Sequence, residues 1–123
     1  MPTFSKQGLS NDPTGLGVLV ASTTAGSGTL IHNAVAATSD VDGDYDEVWL
    51  WAVNESTADE TLTIEFGGVT ATTHTITVTL PPKVGPIQVI PGFLIQNNLD
   101  IDAYASTGSK IKVYGFINFI DQA

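Results

Sequence analysis

The sequence predicts an all-β fold: a single-domain two-sheet β-sandwich of jelly-roll type, with an immunoglobulin-like sandwich as the alternative. Three observations point there. Apolar residues alternate with polar ones in segment after segment, which sets one face of each extended strand against a core. These segments return roughly every 8–14 residues with Gly, Pro, Asn and Asp between them, the rhythm of sandwiches and barrels. No window carries a helical period. About eight strands in a chain of 123 residues suit two packed sheets.

The elements follow in order. Residues 1–17 mix Gly, Pro, Asn, Asp and Ser without a hydrophobic period and read as an N-terminal arm or irregular lead-in; residues 18–123 form the sandwich domain. Val18, Val20 and Ser22 alternate with Leu19, Ala21 and Thr23 in a first strand, closed by the turn Thr24-Ala25-Gly26-Ser27-Gly28. A second strand runs from about Leu30 to Ala36, followed by an acidic loop from Asp40 to Glu47. Val48 to Val53 is apolar on both faces, which suits a central strand or one whose second face meets a partner. Leu62, Ile64 and Phe66 alternate with Thr61, Thr63 and Glu65, and Gly67-Gly68 ends the run. Ile76, Val78 and Leu80 alternate with threonines up to Pro81-Pro82, since proline cannot donate to a ladder. Ile87 to Ile90 is a short strand between Pro86 and Pro91, and Leu99 to Tyr104 alternates again. The last strand, Lys110 to Ile120, is the longest; one face is apolar, and the other turns from Lys110 and Lys112 to Tyr114 and Phe116.

Composition removes several functions. Four Lys+Arg against 13 Asp+Glu give a formal net charge of −9, and all four cations are lysines. Nucleic-acid binding needs clustered Lys/Arg to displace counterions, so it is not expected, nor is docking on an anionic membrane. With no cysteine there is no disulfide, thiolate nucleophile or cysteine-ligated metal. No stretch is long and apolar enough to span a bilayer as a helix, and the first residues lack the charged-then-apolar layout of a secretory signal. At 42% hydrophobic the chain has the means to fold.

Few constellations carry chemistry. Asp40, Asp42, Asp44 and Asp46 alternate in a glycine-containing loop, as a hard cation such as calcium prefers, but Gly43, Tyr45 and Trp51 occupy the wrong places for an EF-hand. The competing reading is a solvated acidic turn whose charges discourage edge pairing. His32 and His74 are the only histidines, are not at ligand spacing, and read as surface or strand-edge residues. Ser27 lies in a flexible turn rather than a nucleophile elbow. No enzyme and no cofactor is expected. Trp49 and Trp51 share a strand face, which suits a core or subunit interface, or a sugar-binding platform; Tyr114 and Phe116 pose the same question, because a strand apolar on both faces needs cover on both.

The segments Asp46-Glu47-Val48-Trp49-Leu50-Trp51-Ala52-Val53-Asn54 and Thr61-Leu62-Thr63-Ile64-Glu65-Phe66-Gly67-Gly68 resemble small virion proteins of tailed bacteriophages. So do Pro91-Gly92-Phe93-Leu94-Ile95, Ala103-Tyr104-Ala105-Ser106 and Val113-Tyr114-Gly115-Phe116-Ile117-Asn118. The resemblance covers roughly residues 28–120 and is to capsid decoration, or cement, proteins. It implies a structural protein on the outer capsid surface of the virion that stabilises contacts between capsomers, with the major capsid protein as partner and a homotrimer as its assembly. It transfers no catalytic residues. Phe4, Trp49, Trp51, Tyr114 and Phe116 are the candidate interface residues, and the arm is the candidate segment for docking on the shell, dispensable for the fold. The alternative function is a phage tail, fibre or host-glycan-binding adsorption module.

Overall fold

The computed structural model describes residues 2–39 and 43–122. Among them are β1 (Thr3–Gln7), β2 (Val18–Val20), β3 (Thr29–Asn33), β4 (Tyr45–Asn54), β5 (Glu60–Phe66), β6 (Thr75–Leu80), β7 (Ile87–Ile95), β8 (Asp100–Ala105) and β9 (Ile111–Asp121), with no helix among the described residues. Two antiparallel sheets face each other. The five-stranded sheet has the order β1-β9-β4-β7, with the short β2 also paired to β9; the four-stranded sheet has the order β3-β8-β5-β6.

From β2 onward every connection crosses between the sheets except the β5–β6 hairpin. That is the jelly-roll path. An immunoglobulin-like sandwich, with A-B-E-D facing C-F-G, hydrogen-bonds three pairs of consecutive strands; here, among the described strands, only β5 and β6 are such a pair.

The core lies between the sheets. Val48, Leu50 and Ala52 of β4 and Ile111, Val113 and Ile117 of β9 meet Leu62 and Ile64 of β5 and Ile101 and Ala103 of β8, all with no measurable exposure. Each fully buried branched side chain contributes about 1.5–3 kcal/mol of transfer free energy.

Two expectations about the chain path change. The lead-in to residue 17 is ordered: β1 pairs with the end of β9 from Thr3↔Asp121 to Gln7↔Ile117. Leu9 is 1% exposed and belongs to the core. Asn11 Nδ2 donates to the Leu30 carbonyl at 2.7 Å, and the Gly17 amide donates to the Asp12 carboxylate. A lone leucine among turn residues shows no period, so its burial has no signature in the sequence.

The second change is at Pro91, expected to close a short strand. β7 instead runs through it to Ile95. It is an edge strand, where proline is tolerated because only one side of the strand is paired. Its register with β4 shifts twice around this point, between Val48 and Trp49 and between Leu50 and Trp51. Gly92, with φ of +88°, follows: a Cβ there would come 2.7 Å from Trp49 Cζ2, so this strand lets the indole lie against its backbone.

The burial of Leu9 sets a test of the lead-in. Leu9→Ala should lower the unfolding free energy by about 2–4 kcal/mol in urea titration, whereas Leu16→Ala, at a position 72% exposed, should change it by under about 0.5 kcal/mol. Removing the whole lead-in should therefore destabilise the fold rather than leave it intact.

Candidate functional site

Strand periodicity decides where the aromatic residues go. β4 alternates without interruption, Asp46, Val48, Leu50, Ala52 and Asn54 being buried and Tyr45, Glu47, Trp49, Trp51 and Val53 half-buried on the other face. β9 pairs with it residue by residue, including Trp49↔Phe116, Trp51↔Tyr114 and Val53↔Lys112. Cross-strand partners share a face. Trp49, Trp51, Tyr114 and Phe116 therefore stand together on the outer face of the five-stranded sheet, away from the core. The core reading of the two tryptophans is corrected by this alternation: the inner positions belong to Val48, Leu50 and Ala52.

The face is continuous. Phe116 stacks between the indoles, with centroids 6.3 Å from Trp49 at 15° and 6.1 Å from Trp51 at 26°. Lys6 Nζ lies 4.9 Å from the Phe116 centroid and Lys112 Nζ 5.4 Å from that of Tyr114, cation–π distances that cover ring faces with cations. The Trp49 indole N–H donates to Glu47 Oε1 at 2.8 Å. Phe4, 65% exposed, extends the face along β1 opposite Ile120, and Leu19 borders it beside Lys112. Trp51, Pro86 and Tyr114 line a cleft of about 470 Å³ at one end. Two of the four lysines of an acidic chain are thus gathered on its most aromatic surface.

The other candidates dissolve or change character. Asp40 and Asp42 lie outside the described residues. Asp44 holds Gln96 Nε2 through its main-chain carbonyl at 2.9 Å, while the Asp46 carboxylate is buried and accepts from His32 Nε2 at 2.7 Å and the Val35 amide at 3.1 Å. Asp46 is therefore committed to the interior and does not join a loop cation site. No three His, Asp or Glu side chains among the described residues are grouped to hold a metal ion.

His32 lies on β3, the edge strand of its sheet, but it is not a surface histidine: it is 5% exposed. Its Nδ1 receives the Ser10 amide at 3.0 Å and lies 2.8 Å from Ser10 Oγ. Since a backbone N–H faces Nδ1, that nitrogen is the acceptor and Nε2 carries the proton given to Asp46. Ser10, His32 and Asp46 are linked in the order of a hydrolytic triad, but the imidazole lone pair a nucleophile needs is shared with a main-chain amide. The cleft of Trp51, Pro86 and Tyr114 does not include these residues. The link ties the lead-in to β3 and β4. His74 lies in the β5–β6 connection with its ring against Gly68, and the Ser27 amide closes a turn onto the Thr24 carbonyl at 3.2 Å.

The outer face of the four-stranded sheet differs. Thr61, Thr63 and Glu65 pair with Thr79, Thr77 and Thr75, and β8 adds Asp102 and Tyr104 opposite Glu65 and Thr63. The Asp102 carboxyl is held above its ordinary value of 3.8, first by burial and then by Asp100 and Glu65. The folded chain thus keeps a proton there that the unfolded chain has released. This contribution to stability is complete below the unfolded value and is lost as pH rises through the higher folded value. Asp102→Asn should remove that loss, flattening the stability profile above about pH 4 in urea midpoints taken with EDTA present. Comparison with protein-family models, with curated proteins and with solved structures gives no match to this chain.

Proposed function

We propose that this chain is a structural virion protein that decorates the outer surface of a phage head, bound to the major capsid protein and assembled as a homotrimer. The observation that carries the reading is the outer face of the five-stranded sheet. A sheet whose second face meets water carries polar residues there, as the threonine rows of the opposite sheet do. The row Trp49, Phe116, Trp51 and Tyr114, half-buried on the outer face, departs from that pattern, and an aromatic row outside the core is what a protein contact covers.

The remaining features support this role. Jelly rolls are common in viral shells, an argument from fold alone. Decoration needs contact area and a rigid body rather than reactive groups, and small repeated contacts gain from closed symmetry. The acidic charge suits a surface facing away from packaged DNA. We take β1 as part of the contact, because it places Lys6 on Phe116 and leaves Phe4 at the border of the same face.

The test uses purified capsids lacking the protein. Trp51→Ala combined with Phe116→Ala should reduce occupancy at least tenfold while the isolated chain keeps its cooperative melting, since neither side chain belongs to the buried core. Unchanged occupancy would reject the reading. The cleft of Trp51, Pro86 and Tyr114 favours a second function, a tail or fibre module stacking a host sugar on the aromatic rings. Saturable quenching of tryptophan emission in a glycan titration, with no capsid binding, would select it.

A further inference from the structure

On the opposite sheet, Glu65 is 1% exposed although it lies on the face turned away from the core. The loop between β2 and β3 covers it: the Gly26 amide donates to Glu65 Oε2 at 3.0 Å. The other oxygen, Oε1, is buried and has no hydrogen-bond partner. Asp102 is its cross-strand partner. A Cβ built on Gly28 would sit 2.8 Å from Glu65 Oε1 and 3.0 Å from Asp102 Cβ, so glycine lets the loop lie directly against both residues. From the solvent side, Asp102 and Asp100 line a groove of about 290 Å³ facing Gly67, Gly68 and Val69.

This is an expensive arrangement as it stands. A buried carboxylate oxygen without a partner forfeits its hydration, and a second carboxylate beside it adds repulsion. Asp100 brings another acceptor rather than a donor, its carboxylate receiving Asn33 Nδ2 at 2.7 Å. Lys6 and Lys112 are committed to the aromatic face of the other sheet. Two carboxylates, one with a buried oxygen left unpartnered and the other lining an open groove, offer oxygen donors of the kind that a hard cation with flexible coordination takes.

We infer that Glu65 and Asp102, roofed by the β2–β3 loop, form a binding site for a divalent cation of the calcium type. The cation compensates the buried charge and pins the loop to the sheet. This site is separate from the acidic loop before β4, and it does not depend on the proposed role in the virion.

The full chain, stripped with EDTA and titrated with calcium chloride, tests it. The expected result is one calcium per chain by calorimetry and a melting midpoint raised by about 5 °C at a tenfold excess over the dissociation constant. Glu65→Gln and Asp102→Asn should abolish both effects, while Asp44→Asn keeps them. In EDTA, Glu65→Gln should melt above the parent, since the uncompensated charge is gone. If Glu65→Gln does not fold, Asp102→Asn at its partly exposed position decides alone. No response of the parent to millimolar calcium, or a response retained by Asp102→Asn, overturns the assignment.

Discussion

The pairing of β4 with β9 is the constraint from which the rest of the structure follows. These two central strands stay in unbroken register over ten residue pairs, from Tyr45↔Ile120 to Asn54↔Ile111. Because side chains alternate, this single register sends Val48, Leu50, Ala52, Val113 and Ile117 inward and Trp49, Trp51, Tyr114 and Phe116 outward. A slip of one residue would exchange the two sets. Aliphatic residues then fill the space between the sheets, while the rings line the outer face. Irregularity is displaced to the edge, where β7 absorbs two register shifts and a proline.

The two sheets present opposite surfaces to their surroundings. One displays stacked rings with lysine ammonium groups over them; the other displays threonine rows and carboxylates. In a chain of formal charge −9, the aromatic face gathers two of the four lysines beside Glu47. An acidic body repels its copies and other acidic surfaces at long range, while the aromatic face supplies short-range attraction in one orientation. That combination suits a protein that binds sparsely and in register on a larger assembly.

Much of the sandwich was legible in the sequence because alternation is a local signal. β4, β5, β6, β8 and β9 lie close to where their periods place them, and the two-faced apolar character of Val48 to Val53 correctly implied a central strand. Which face of a strand meets the core is not local. Trp49 and Trp51 read as core or subunit interface on hydrophobicity, and only the alternation removes the core half of that reading, because the smaller aliphatic residues between them pack at the sandwich layer. Leu9 and Glu65 were illegible for a related reason: each is buried by a distant segment, Leu9 by the core reached through β1 and Glu65 by the loop after β2. His32 is the same case, held by Ser10 and Asp46, 22 and 14 positions away. The acidic loop showed charge spacing but not that Asp46 turns inward.

The β4–β9 alternation leaves an aromatic row outside the core, and the proposed virion role requires that row to be covered. A density map of phage heads incubated with this chain measures that most directly, by locating the molecule and showing which surface abuts its neighbours. Under the proposed role Trp49, Trp51, Tyr114 and Phe116 are in contact with a neighbouring protein while the threonine rows face solvent. Density in which the aromatic face is open to water and the four-stranded sheet makes the contact would contradict it.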